Sequence, residues 1–207
     1  MDEYSNVSSR ILQIFRILPI LPIQDFLQFA MTVFNKAGKI KPSLYQPGSL
    51  QRGTGVWGKE INHGTLAYVE EIRVNSKHQR KGVGRWAIEN MLSSDSLRVR
   101  IFLTSLFFFW LTPLKHCPYI FLWATPLNIN SFFEGPDPDF NSKKRAVISF
   151  WRSVGFRRVA GTWFFGYARN PEHPMRSLKM DEDAEETQTV GYNPSDAFDA
   201  CVTVIYE

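Results

Sequence analysis

The sequence predicts a mixed α/β domain, and two stretches carry that prediction. Residues 66–92, LAYVEEIRVNSKHQRKGVGRWAIENML, read as a strand, a tight basic turn and an amphipathic helix in immediate succession. Residues 143–167 read as a helix, a glycine stop and a strand. The chain has 207 residues, 44% of them hydrophobic and 14% aromatic, enough apolar material for one core of ordinary size plus an extension.

Near the start, Ser8 or Ser9 can cap a short helix whose apolar face is Ile11, Ile14, Phe15 and Leu18, with Pro19 as its stop. A secretory or mitochondrial signal is the rival reading. Asp2 and Glu3 oppose either charge pattern, Pro19 and Pro22 interrupt the apolar run, and no small-residue cleavage site follows. Residues 26–34 are apolar enough for a strand, with residues 35–39, NKAGK, as the turn after it. Pro42, Pro47 and Gly48 make residues 41–50 a loop. The RGTGVWGKE stretch, residues 52–60, has the glycine density of a phosphate loop. Val56 and Trp57 are strand formers, however, and no helix follows; Asn62-His63-Gly64 then reads as a hairpin-type turn into a central strand.

That strand, residues 66–74, is rich in β-branched and aromatic side chains and carries no Gly or Pro. From Val83 the apolar residues fall at 83, 87, 88, 91 and 92, a helical stripe. Gly82 and Gly84 therefore sit where a strand hands over to a helix N-terminus. The first turn of a helix leaves four N–H groups without partners and carries roughly half a positive charge, which attracts phosphate oxygens. Glycines let a phosphate approach the backbone, and Arg80, Lys81 and Arg85 add cations around the same turn. The physical reading is a pyrophosphate cradle, against the plainer reading of GxG as loop punctuation. Neither GxGxxG nor GxxxxGK[ST] is present.

Downstream, residues 119–125 make the next strand, closed by Pro126. Before it lies an atypical apolar insertion, residues 95–116. Its uncharged run from Ile101 to Leu114 is shorter than the roughly 20 residues a membrane span needs. It is either an extra strand or helix packed on the sheet, or translated intron. Residues 134–139 form a loop, residues 143–154 a helix stopped by Gly155, and residues 156–167 a strand. Residues 176–207 hold two basic and eight acidic side chains, so that segment carries −6 and residues 1–175 carry +10 of the formal +4. An acidic stretch poor in apolar residues predicts disorder over 176–199, with a possible terminal strand at 201–206. The basic body suits a polyanionic ligand; its cations are scattered and match no nucleic-acid motif, so no specific nucleic-acid partner is expected. Cys117 and Cys201 form no metal-ligand spacing and give no reason to expect a disulfide, which makes an intracellular setting, cytoplasmic or nuclear, the default.

The stretch EEIRVNSKHQRKGVG resembles the acetyl-CoA-binding motif of the GCN5-related N-acetyltransferase (GNAT) superfamily, (Gln/Arg)-x-x-Gly-x-(Gly/Ala), with Gln79, Gly82 and Gly84 in the three defined positions. Residues 149–156, SFWRSVGF, resemble the family's helix-to-strand signature, and RGTGVWGKEINHG is similar to a stretch in a little-characterised fungal branch. The resemblance implies a domain over residues 1–175 with a mixed sheet of about six or seven strands flanked by helices. It implies an N-acetyltransferase that moves an acetyl group from acetyl-CoA to a primary amine, on a small molecule or a protein, by direct attack in a ternary complex. The alternative is a non-catalytic coenzyme A-binding relative. The coenzyme would rest on Gln79, Arg80, Lys81, Gly82, Val83, Gly84 and Arg85, with the pantetheine arm paired along Ile72, Arg73 and Val74. Phe150 and Trp151 would serve as packing or as a wall for that arm.

Such a transfer requires a neutral amine, and Glu70 and Glu71 are the base candidates. Adjacent residues of a strand point to opposite faces, so one of the two looks into a given cleft. The plainer reading is a solvated strand end, or an ion pair with Arg73. Relatives acting on polyamines and glucosamine phosphate use a matching pair of acids toward the amine, and Glu71 is the leading choice on that footing. Many relatives carry a tyrosine acid where Trp151 stands; a tryptophan has no phenolic proton, which leaves Tyr119, Tyr167 or water. Lys144 occupies the spacing at which relatives often have an asparagine.

Overall fold

The computed structural model describes residues 20–93, 98–101, 110–113, 117–126 and 138–187. It is a mixed α+β fold. Four helices, α1 (Ile20–Val33), α2 (Val83–Ser93), α3 (Phe140–Ser153) and the single turn α4 (Pro174–Ser177), accompany strands β1 (Leu66–Val69), β2 (Arg98–Ile101), β3 (Trp110–Pro113), β4 (Tyr119–Trp123), β5 (Arg157–Arg158) and β6 (Phe164–Ala168). The main sheet has the order β1-β4-β6-β5; β2 and β3 make a separate two-stranded sheet. One sheet of six or seven strands is therefore not what the described residues form. Part of the apolar insertion is accounted for by the antiparallel β2–β3 pair, which lies beside β1 without joining its sheet.

The centre of the main sheet is β4 rather than β1. Its run YIFLW is apolar throughout and pairs on both sides: parallel to β1 with Leu66 opposite Tyr119 and Val69 opposite Leu122, and antiparallel to β6 with Tyr119 opposite Ala168. A strand buried on both faces reads as a continuous apolar run, whereas the charged pair after Val69 suits an end of the sheet. Alternation along the strands divides the core in two. Phe121 and Phe164 face α1 and the loops, meeting Phe29, Val33, Leu44, Trp57 and Met175. Ile120, Leu122 and Phe165 face α2 and α3, meeting Ile88, Trp151 and Phe156.

Of residues 26–34, expected as a strand, 26–33 belong to α1, and Phe34 forms an isolated antiparallel bridge with Ile40. Phe26, Phe29, Ala30 and Val33 follow the i, i+3, i+4, i+7 spacing of a helix face, and the buried ring of Phe29 lies 5.0 Å from Phe121 and 5.2 Å from Phe164 between centroids. Asn35 closes the turn after it, accepting from the amides of Ala37 and Lys39. The helix expected over residues 11–18 and the strand expected over 201–206 lie outside the described residues.

The glycine stop of α3 takes the Schellman form: Gly155, at φ +94, donates to Arg152 O (3.1 Å), and Phe156 donates to Trp151 O (3.1 Å). The Trp151 and Phe156 rings, 5.0 Å apart, supply the apolar contact that accompanies such a stop. Beyond it the expected strand is split, because Val159, Ala160 and Gly161 turn and the amide of Val159 donates back to Phe164 O. Gly166 in β6 lies under Trp57 and Phe121; a Cβ built there would fall 2.6 and 2.7 Å from their ring atoms. Gly166→Ala should therefore cost about 1–3 kcal/mol of stability by overpacking, read from urea unfolding; a neutral result would mean that both rings can step aside.

Residues 176–187, expected to begin a disordered tail, instead dock on α3 and β5. The reason is charge matching that composition alone conceals. Asp183 accepts from Arg152 Nε (2.7 Å) and the Arg158 amide (3.0 Å), Glu186 pairs with Lys144 Nζ (2.9 Å), and the Thr187 amide donates to Gly161 O. Lys144, placed by the resemblance at a family asparagine position, is committed to this contact.

Candidate functional site

The site begins where β1 ends. After Val69 the chain leaves the ladder, and residues 70–75 pair with no strand among the described residues. The expected strand is thus shorter by five residues, because the glutamates are exposed rather than buried. Ile72 still packs on the α2–α3 side of the core, while Arg73 turns outward and holds Glu71 at 2.7 Å.

Residues 75–82 then fold back. Asn75 accepts from the Lys77 amide (3.0 Å), and Gln79 Nε2 donates to Val74 O (3.0 Å), so Gln79 ties the turn to the segment it leaves. Two residues reverse the chain in the left-handed region: Arg80 at φ 58, which is uncommon without glycine, and Gly82 at φ 79. A Cβ built on Gly82 meets nothing within 4 Å, so neighbouring atoms do not demand a glycine; the backbone conformation does. Helix α2 starts at Val83 as expected, its first turn closed by the Trp86 amide on Gly82 O (3.0 Å). The amides of residues 82–85 consequently have no intrahelical acceptor. Val83, Arg80 and Lys81 are exposed around them, and Arg85 reaches across to Ser153 Oγ (3.1 Å).

Gly84 has a different task. A Cβ there would lie 3.3 Å from Phe150 Cζ and 3.7 Å from Val74 Cγ2, so this glycine lets α2 approach α3 closely. Phe150 fills that approach, and Trp151, 7% exposed, stacks edge-on between Phe150 and Phe156 within the core. Phe150, half-buried, and Trp151 both pack in this seam between the helices. Residues 72–74, 79–85 and Phe150 come together at one end of α2.

The two glutamates part. Glu70 lies with Tyr68 on the α1 side, where Tyr68 Oη donates to Asp25 O (3.5 Å). Although Glu70 is exposed, partial desolvation raises its carboxyl above the ordinary value, and the negative charges of Asp25 and Glu71 push it further. The Asp25 carboxyl is raised by burial as well. Glu71, the leading choice from sequence, has instead the ion pair with Arg73. Asp25 was missed: an acidic residue opening an apolar stretch gave no sign of its partner 45 positions on.

The candidate acids are separated from this point. Tyr119 stands opposite Leu66, three residues upstream of the end of β1, or about 10 Å along the strand. Its hydroxyl is raised by burial and by Glu60, whose carboxylate pairs with His173 Nε2 at 3.3 Å. Tyr167 lies beneath the Arg176 guanidinium, 4.4 Å from it. Cys117 is free and buried, and burial raises its thiol above the usual value, which disfavours the thiolate. Among the described residues no three His, Cys, Asp or Glu side chains gather to hold a metal ion, and no helix is long and apolar enough to cross a membrane. No protein-family model, curated protein or solved structure matches the chain.

Proposed function

We propose that the chain is an N-acetyltransferase of the GNAT type, taking an acetyl group from acetyl-CoA and delivering it to a primary amine. The observation that carries this reading is the glycine turn opening α2 beside an unpaired segment of chain. Four outward amides at residues 82–85, a glycine in the left-handed region and three nearby cations suit a pyrophosphate. Residues 72 and 73, outside the ladder, offer backbone groups to the amides of a pantetheine arm, while Val74 O already accepts from Gln79. The parallel pair β1 and β4, each followed in the chain by a helix packed on the same face of the sheet, supports the reading.

In this reading Glu70 takes the proton from the acceptor ammonium. The neutral nitrogen attacks the thioester carbonyl carbon, the carbon–sulfur bond breaks, the thiolate leaves, and the nitrogen sheds its second proton to give the neutral amide. That proton passes to the thiolate through water or Tyr167, since Trp151 has no phenolic proton and Tyr119 stands about 10 Å back along the strand from the end of β1. Asp25 and Glu70 together favour a cationic acceptor.

A second reading, coenzyme binding without catalysis, draws on the buried Trp151 and on the ion pair that engages Glu71 with Arg73. Titration calorimetry and thiol release separate the two: binding without release across a broad amine panel favours the second. Binding itself is tested by Gly82→Trp, whose side chain has room but is strained at φ 79, so it disturbs the turn as well as covering the amides. Affinity for acetyl-CoA should fall at least about tenfold, the loss of one charge-assisted hydrogen bond, with the circular dichroism spectrum unchanged. Wild-type affinity in a folded Gly82→Trp protein would refute the cradle.

A further inference from the structure

A second cluster of cations lies on the other side of Arg85. Helix α2, the α3–β5 turn, β6 and α4 line an open pocket of about 500 Å³ that includes Arg85, Glu89, Ser153, Arg157, Tyr167 and Arg176. That volume is in the range of small-molecule sites. None of the three arginines forms an ion pair among the described residues, although the neighbouring Arg152 and Arg158 both do.

Arg157 is the informative one. It is 9% exposed, and its guanidinium donates to the main-chain carbonyls of Leu178 (2.7 Å), Arg152 (2.9 Å) and Phe156 (2.7 Å). Those carbonyls fix the side chain without neutralising it. Burial, with Arg152 and Arg176 nearby, disfavours its charged form, and Asp183 offsets this only in part. Arg176 sits over the Tyr167 ring, and Arg85 is held by Ser153. Three guanidiniums are thus positioned around one cavity by neutral partners. A buried cation without a counterion is costly, and a planar guanidinium matches the oxygens of a phosphate.

We propose that this pocket binds a phosphate monoester carried on a hydroxylated scaffold. The guanidiniums take the phosphate, and Glu89, the one acidic group named in the lining, accepts from a hydroxyl of the scaffold. That acceptor is why a sugar phosphate suits the pocket better than inorganic phosphate, which cannot hold its charge at the guanidiniums and reach Glu89 with a separate neutral hydroxyl. Two sources share this chemistry: a free sugar phosphate, and the ribose 3′-phosphate of coenzyme A itself, which Arg85 would connect to the glycine turn.

The test uses the full chain and titration calorimetry with ribose 5-phosphate and inorganic phosphate. Arg176 is exposed, so Arg176→Gln should fold. Ribose 5-phosphate should bind the wild-type protein more tightly than inorganic phosphate does. Its affinity should fall at least about tenfold in Arg176→Gln, one charge-assisted contact, and should approach that of inorganic phosphate in Glu89→Gln. Absence of ribose 5-phosphate binding, or equal affinity in wild type and Arg176→Gln, overturns the proposal. Coenzyme A and 3′-dephospho-coenzyme A are then compared on both proteins. A preference for coenzyme A that Arg176→Gln abolishes assigns the phosphate to the coenzyme; a preference unaffected by the substitution assigns the pocket to a separate sugar phosphate. Should ribose 5-phosphate bind while neither coenzyme form does, the acetyltransferase reading fails and the pocket stands.

Discussion

Asp183→Asn should lower the free energy of unfolding by about 3–5 kcal/mol, the usual loss when one member of a buried ion pair is removed. The Asp183 side chain is 0% exposed, and it accepts from Arg152 Nε on one oxygen and from the Arg158 amide on the other. An asparagine can satisfy one of those donors, but its own N–H₂ group then faces the second. The carboxylate's loss also leaves Arg152, 14% exposed, with Glu185 alone, which is 82% exposed and well screened. Unfolding in urea with an unchanged m-value would show that stability, and not the unfolded state, has changed. A loss below about 1 kcal/mol would place the contact among ordinary surface ion pairs and show that residues 178–187 only rest on α3. Lys144→Ala, whose ion pair with Glu186 is more exposed, should cost less than about 1 kcal/mol in the same assay.

How much of this was legible depended on whether a signal was local. The start of α2 at Val83, the glycine stop of α3 and the strand closed by Pro126 all follow from residues within a few positions of the feature, because caps and left-handed glycines act over one turn. Residues 26–34 failed for the opposite reason. Nine apolar-rich residues fit both periods, and the choice between them was made by Phe121 and Phe164, more than 80 positions away, which offer Phe29 a flat surface. The acidic segment misled in the same manner. Read alone, residues 181–187 have too few apolar side chains to fold; their partners Lys144, Arg152 and Arg158 are separated from them in sequence and adjacent in space. At the candidate site the turn was visible while the allocation of the glutamates was not, since Asp25 lies on α1 and only the packing of Tyr68 against that helix brings it near Glu70.

That allocation sets the second large effect. If Glu70 is the base, Glu70→Gln should lower turnover at saturating amine and acetyl-CoA by about 10²- to 10⁴-fold, the span of general acid–base assistance. Glutamine is nearly isosteric, and the phosphates rest on amides 82–85, so coenzyme affinity should stay at the wild-type value. Glu71→Gln should retain most of the rate, because it removes an exposed pair with Arg73. The pH dependence supplies a sign that a structural role would not. A base works only when deprotonated, so kcat/KM rises as pH climbs through the Glu70 pKa, which partial desolvation and then the charges of Asp25 and Glu71 hold above the ordinary glutamate value. Asp25→Asn removes one of those charges, makes the Glu70 proton easier to lose, and should move the acid limb to lower pH without abolishing it. Glu70→Gln should remove the limb altogether. Full turnover in Glu70→Gln, or an acid limb that Asp25→Asn leaves in place or moves upward, would show that the amine loses its proton elsewhere.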